Sequence, residues 1–415
     1  MKTYVVGGAV RDELLGLPIV DRDHVVVGST PQQMIDAGFK PVGRDFPVFL
    51  HPDSREEYAL ARTERKVAPG YAGFAFHSAP DVTLEQDLAR RDLTINAIAK
   101  SDTGELIDPY DGQRDLQARV LRHVGPAFVE DPVRILRLAR FAARFTEFSV
   151  AAATLALMQQ MVASGEVDAL VAERVWQELS RGLMERKPSR MFALLQDCGA
   201  LARVLPELSP MSMPAMQAID ASADSPASSL AVRFAVLVLS MPLGDGSPRT
   251  DRVNALAKRI RAPVELRDLA LLACAEQSVI AAADTISADK LVSLLERCDG
   301  FRKPQRLLEL LDALSIAHAT NTGAISVEQA AQSINQAHQQ LRLAHAAATA
   351  VDAGTVARAA TANPANPTDP ADRVNPAGLP LPVIAGERIK QAIHVARVAA
   401  VEQALATIAQ SRQLR

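Results

Sequence analysis

The sequence predicts an α+β domain at the N-terminus and an all-α remainder. Three observations carry this. Short β-like runs alternate with short helical stretches up to about residue 125. From Asp131 onward apolar residues recur at helical spacing. The 415-residue chain is 48% hydrophobic but only 4% aromatic, with abundant Ala and Leu, a balance that favours helices. Such a length accommodates roughly two to three domains with ample core. No apolar run reaches the ~20 residues of a membrane helix, and the apolar patch at the start is too short for a signal peptide. Cys198, Cys274 and Cys298 are widely spaced and lack zinc-ligand spacing. They predict reduced, buried thiols in a cytoplasmic protein.

The first element is a strand over residues 4–6, followed by Gly7-Gly8-Ala9-Val10-Arg11-Asp12. Strand, tight turn and helix in that order leave backbone N–H groups free to face a phosphate. Asp21-Arg22-Asp23 then precedes the β-branched run Val25-Val26-Val27, which predicts a strand over 24–27. On an extended segment Asp21 and Asp23 share one face. Two carboxylates on one face beside a phosphate cradle suit Mg²⁺, which takes one or two carboxylates plus substrate phosphates. A lone Asp-x-Asp is more often a loop or a helix cap; the order and spacing here point instead to metal-dependent phosphoryl or nucleotidyl transfer.

Further strands are expected over 48–50 and 57–61, and a helix over 30–37 capped by Thr30 with Pro31 in its first turn. Residues 68–80, rich in Gly and Pro without period, read as a mobile loop. Arg90-Arg91-Asp92 precedes an amphipathic run. A solvated helix start would explain it; so would contact of Arg91 or Asp92 with a nucleotide. Asp131-Pro132 marks a helix start with Asp131 as N-cap. On that helix Arg134, Arg137, Arg140 and Arg144 fall within an arc about 120° wide, opposite an apolar face. An arginine-only stripe repels itself unless anions fill it, and a triphosphate would do so. The formal net charge is −3, yet residues 114–144 carry seven arginines against three acids, a basic band suited to RNA or a triphosphate. Asp131 and Arg134 can also read a base: a carboxylate accepts from an exocyclic amine and a guanidinium donates to a ring nitrogen. C and A present that pattern; U and G present its reverse. Farther on, residues 351–382 contain six prolines and read as an extended linker or loop, and a last helix is expected from about 384 to 410.

In these stretches, and in Gly43-Arg44-Asp45-Phe46-Pro47, Tyr58-Ala59-Leu60-Ala61-Arg62-Thr63-Glu64 and Glu130-Asp131-Pro132-Val133-Arg134, the chain resembles the bacterial class II CCA-adding enzymes. These are tRNA nucleotidyltransferases of the DNA polymerase β-like superfamily. The likeness is nearly continuous over residues 1–145, weaker through about 205 and faint beyond. It implies a nucleotidyltransferase head with a small mixed sheet (1–125), a helical neck (126–205), a helical body (206–350), the linker or loop (351–382) and a helical tail (383–415). It also implies that Asp21 and Asp23 hold Mg²⁺, that Gly8, Arg11, Arg91, Arg137 and Arg140 contact ATP or CTP, and that Asp131 and Arg134 act as a protein template. Loop 68–80 matches the segment linked to switching from C to A addition. A third carboxylate usually completes such sites, and Glu57 and Asp92 are both candidates. The partners implied are tRNA, CTP and ATP, with no membrane; oligomeric state is left open, a monomer being favoured.

One departure stands out. Residues 232–240 resemble the segment that carries a His-Asp phosphohydrolase pair in many relatives, but Leu239 and Ser240 occupy that place and no His-Asp dipeptide occurs in the chain. The phosphohydrolase activity is therefore expected to be absent, and His318, His338 and His345 are expected at the surface. The nearest rival is a bacterial poly(A) polymerase, which shares the head but usually ends in a long basic tail. A non-catalytic tRNA-binding protein is a second, argued against by the intact Asp21/Asp23 pair. A dinucleotide-binding protein is excluded by the missing G-x-G-x-x-G.

Overall fold

The computed structural model describes residues 1–42, 48–66, 74–225, 228–242, 246–321, 327–362 and 381–413. The chain divides into two compact units. The first comprises Met1–Pro226, Met241–Ser247 and Ala255–Pro263; the second comprises Ala227–Ser240, Pro248–Asn254 and Val264–Arg415.

The first unit opens with β1 (Lys2–Val6), α1 (Gly8–Leu14), β2 (Asp23–Val27), α2 (Pro31–Asp36), β3 (Lys40–Pro41), β4 (Val48–Leu50) and β5 (Glu57–Leu60). It continues with β6 (Thr63–Lys66), β7 (Phe74–His77), α3 (Leu84–Ala89), β8 (Ala99–Ser101), β9 (Leu106–Ile107) and α4 (Gly112–Ala118). Seven strands form one sheet in the order β3-β4-β5-β2-β1-β8-β9. The β2–β5 pair is parallel and the rest are antiparallel, so the sheet is mixed, as expected. Val25 and Val26 alternate to opposite faces of β2. Val25 joins Val6, Leu84, Leu88 and Ala97 in one buried cluster, and Val26 joins Met34, Phe39, Phe49 and Leu60 in another. Both faces of the central strands are thus covered, which fixes their register.

All four expected strands form, and Thr30 caps α2 through a reciprocal box with Gln33 (3.2 and 2.9 Å). The expected loop 68–80 is not wholly a loop: Phe74–His77 is β7, paired antiparallel with β6, while 67–73 lie outside the described residues. Residues 43–47 of the quoted motif lie outside them too. Arg90-Arg91-Asp92 does not start a helix. Leu93, Ile95 and Ala97 are fully buried around a short 3-10 turn, Thr94–Asn96, so the apolar residues serve the core rather than one helical face.

The rest of the first unit is mainly helical: β10 (Val120–Leu121), α5 (Val133–Arg144), β11 (Ser149–Val150), α6 (Ala152–Ala163), α7 (Ala172–Leu183), α8 (Ser189–Asp197), α9 (Ala200–Val204) and α10 (Met213–Asp224). The Asp131 carboxylate accepts from the Val133 N–H (3.1 Å), so the expected cap is in place. Ile135, Leu138, Ala139 and Ala142 bury the apolar face of α5, which packs against α7 and α8.

The second unit holds α11 (Leu230–Leu239), the start of α12 (Arg249–Ile260), α13 (Val264–Ala281), α14 (Ala288–Arg297), α15 (Pro304–Asn321), α16 (Val327–Thr349), α17 (Ala353–Ala362) and α18 (Leu381–Gln413). The expected linker therefore begins as a helix, α17, because its first residues are Ala-rich and precede the prolines; 363–380 lie outside the described residues. The histidines are not surface residues. His338 is buried with Nδ1 3.0 Å from Ser315 Oγ, and the half-buried His345 places Nε2 3.0 Å from the Gly300 carbonyl. His318 is half-buried as well. Alanine-rich helices pack closely, and the imidazoles fill space between them. Cys198 and Cys298 are buried, Cys274 is half-buried, and all three are free thiols. Among the described residues no helix is long and apolar enough to cross a membrane.

Candidate active site

A cavity of about 700 Å³ opens in the first unit over the ends of β1, β2 and β5. At Gly7 the chain turns from β1 into α1 with φ +72°, a left-handed conformation suited to glycine. A Cβ there would stand 2.9 Å from Arg91 Nη1. Gly7 and Gly8 both line the cavity.

Asp23 begins β2, and Asp21 stands two residues before it; both are exposed and both line the cavity. The parallel register sets Glu57, the first residue of β5, directly beside Asp23. Among the described residues none of these three carboxylates has a hydrogen bond or ion pair. Asp92, the other candidate, is committed elsewhere. Its oxygens accept from Leu93 N–H (2.9 Å), Asn96 Nδ2 (2.9 Å) and Arg137 Nε (2.8 Å). Burial alone would raise the Asp92 carboxyl, but the Arg137 guanidinium and the Asn96 amide hold it well below the usual carboxylate range.

Ten arginines line the cavity against five carboxylates. Sequence reasoning took the α5 stripe to need outside anions, and here the structure corrects it. Arg137 is held by Asp92; Arg140 donates to Glu178 (2.7 Å) and lies 3.6 Å from Glu185; Arg144 donates to Asp12 (2.9 Å). The neutralising acids come from α1, α7 and the turn before the 3-10 helix, where spacing along α5 cannot reveal them. Arg122 likewise bonds Asp115 within the basic band (3.0 Å). Arg11 is buried, bonded to Asp12 (2.8 Å) and Asn96 (2.6 Å), with its guanidinium 5.1 Å from the Phe141 ring. Arg90 and Arg91 share the fully buried Asp87 (2.8 and 3.2 Å), whose carboxyl the two guanidiniums lower although burial would raise it.

Asp131 and Arg134 both line the cavity but are not paired to each other. Asp131 is gripped by both terminal nitrogens of Arg174 (2.9 and 2.7 Å). Arg134 Nη1 donates to the Ala127 carbonyl (2.8 Å) and Nη2 to the Arg90 carbonyl (2.5 Å). Sequence reasoning missed Arg174, Glu178 and Arg181. They recur at positions i, i+4 and i+7 of α7, one helical face turned to α5, and that periodicity was their only signal. Arg181 is an exposed cavity arginine whose guanidinium has no hydrogen bond or ion pair among the described residues.

The site thus combines unpaired hard-oxygen donors with an electropositive wall whose guanidiniums are fixed in advance. Residues 3–122 match the family described as the poly A polymerase head domain, and residues 147–211 the probable RNA and SrmB-binding site of polymerase A. In fold, the chain is similar to the Bacillus stearothermophilus CCA-adding enzyme in complex with CTP, at 22% identity and a TM-score of 0.66 over 100% of this chain and 95% of that one. It is likewise similar to the Thermotoga maritima CCA-adding enzyme complexed with tRNA, at 20% identity and a TM-score of 0.64 over 98% and 91%. The multifunctional CCA protein of Burkholderia multivorans is 52% identical over 98% of this chain and 99% of its own length. That of Azoarcus sp. is 50% identical over 97% of each. At that identity over nearly the whole length, the chain belongs to the family of multifunctional CCA proteins.

Proposed function

We propose that this chain is a CTP- and ATP-dependent tRNA nucleotidyltransferase that adds C, C and A stepwise to the tRNA 3′ end in the cytoplasm, without a nucleic-acid template, releasing pyrophosphate. The observation that carries the reading is the set of unpaired carboxylates facing an arginine-lined cavity. Asp21, Asp23 and Glu57 are oxygen donors without a hydrogen bond or ion pair among the described residues, which fits Mg²⁺. When bound there, the metal would supply charge neutralisation and a more acidic acceptor hydroxyl.

The residues of the chain do the rest by positioning. Gly8 lets backbone approach the triphosphate, and Arg11, Arg91, Arg137, Arg140 and Arg181 surround it with positive charge. Because partners already hold most of these guanidiniums, little reorganisation accompanies binding. Arg174 fixes the plane of the Asp131 carboxylate while leaving lone pairs for an exocyclic amine, since an ionised carboxylate offers about four acceptor sites. Arg134, anchored on two carbonyls, presents its guanidinium edge to the ring nitrogen of C or A. On this reading residues 1–125 are the catalytic head, 126–205 the neck that reads the base, and 206–350 and 383–415 the body and tail that hold tRNA. No phosphohydrolase step is assigned to the body, where Leu239 and Ser240 replace a His-Asp pair.

Asp21→Ala is expected to abolish incorporation of both CMP and AMP, by ~1,000-fold or more (about 4 kcal/mol), while gel shifts still show tRNA binding. Undiminished CMP transfer by that variant would refute the carboxylate assignment. With CTP alone, the wild type is expected to add two cytidines and stop, which a poly(A) polymerase would not do.

A further inference from the structure

Two concavities meet at the same carboxylates. One is the arginine-lined cavity. The other, of about 690 Å³, is bounded by residues 19–23 and 54–57. Asp21, Asp23 and Glu57 are the residues common to both. The second concavity also carries Arg22 and Arg55, both exposed, and neither guanidinium has a hydrogen bond or ion pair among the described residues. Its remaining acid, Glu56, is occupied by His24 at 3.2 Å. Val20, 87% exposed, adds an apolar edge.

Displacement at phosphorus runs in line. The bond from the acceptor 3′-oxygen to the α-phosphorus forms on one side as the bond to pyrophosphate breaks on the other, and the hydroxyl proton passes to solvent. If the triphosphate occupies the arginine-lined cavity, the acceptor must reach the carboxylates from the side away from it. We infer that the second concavity receives the single-stranded 3′ end of the acceptor RNA, with Arg22 and Arg55 binding its backbone phosphates. The three shared carboxylates then stand between two separate substrate paths, and the guanidiniums on the outer path gain a partner that the described residues do not supply. Val20 offers a surface for an unstacked terminal base. This inference rests on the functional reading above.

The test is steady-state CMP transfer to a tRNA lacking its 3′ end, with Arg55→Asn and Arg22→Gln as single and double variants. Arg55 has φ +63°, a conformation asparagine tolerates, so Arg55→Asn removes the charge without straining the turn. The double variant is expected to raise KM for tRNA about tenfold while KM for CTP and kcat stay within twofold. The dependence of log KM on log salt should flatten by about 0.7 for each lost phosphate contact, a readout that a merely structural role would not move. Unchanged tRNA KM and salt slope, or a rise confined to CTP, would overturn the assignment. Absence of CMP transfer by the wild type in the same assay would instead defeat the functional reading itself.

Discussion

Among the described residues eight charged side chains are buried in the first unit (Arg11, Asp12, Asp87, Asp92, Asp115, Arg134, Arg140 and Glu178), whereas two, Arg233 and Glu276, are buried in the second. Burying an ion costs several kcal/mol unless its partner and hydrogen bonds compensate, and a well-packed apolar replacement is often as stable. The second unit follows that economy: α11 is buried from Val232 to Leu239, and every residue of that stretch but Arg233 is apolar. The first unit does not, and all of these buried charges except Asp115 line the cavity or pair with an arginine that does. The difference teaches that the polar interior of the first unit is there to orient guanidiniums, with stability supplied by the apolar clusters on the two faces of the sheet.

The largest effect should come from removing an acid inside that network. Asp92→Ala leaves Arg137 and Asn96 facing an uncompensated site, and breaking a buried pair from one side costs about 3–5 kcal/mol. The single tryptophan, Trp176, lies in α7 of the first unit, so urea unfolding followed by its fluorescence reads that unit. The midpoint should fall clearly, with nucleotide affinity falling as well. A midpoint equal to that of the wild type would mean that the network is peripheral, and the contrast between the units would collapse.

The same contrast explains what the sequence could and could not reveal. The strand over 24–27, the α2 cap at Thr30 and the Asp131 cap are local: a β-branched run, a Thr three residues before a Gln, and an Asp-Pro each state their own geometry. The placement of Asp21 and Asp23 at and just before the start of β2 was legible for the same reason. The partners of Arg137, Arg140 and Arg144 were not, because Asp92, Glu178 and Asp12 reach them from 38 to 132 residues away in sequence. Glu57 could not be preferred over Asp92 until β2 and β5 were paired in register, placing the one beside Asp23 while α5 claimed the other. In the helical second unit the difference runs the other way: His338 looks solvated amid alanine and glutamine, and the packing of α16 against neighbouring helices such as α13 and α15 buries it.

Two histidines of the second unit sharpen the comparison through pH, since they titrate with opposite sign. Burial lowers the His338 pKa from 6.5 to about 4. The Ser315 hydroxyl also bonds the Leu311 carbonyl (2.9 Å), so the His338 ring N–H donates to the serine oxygen and the ring stays neutral. Between pH 6.5 and 4 the unfolded chain takes up a proton that the folded chain refuses. Stability is therefore lost as pH falls through that window, by up to about 3 kcal/mol at about 1.4 kcal/mol per unit. Helix content by circular dichroism should report this loss, and His338→Gln should flatten it; an unaltered slope would show that the imidazole is not the titrating group. His394 gives the smaller effect. Its ring nitrogens stand 2.9 Å from Glu296 and 3.0 Å from Asp289, and those carboxylates raise its pKa. Its contribution is complete below pH 6.5 and disappears as pH rises through the elevated folded value. Both acids are partly exposed, so solvent screening limits the contribution to ~1 kcal/mol or less. His394→Gln should therefore lower the helical transition slightly at pH 6 and leave it unchanged at pH 9, with Trp176 fluorescence unmoved at both. An equal loss at the two pH values would assign His394 a packing role and remove its charge from the account.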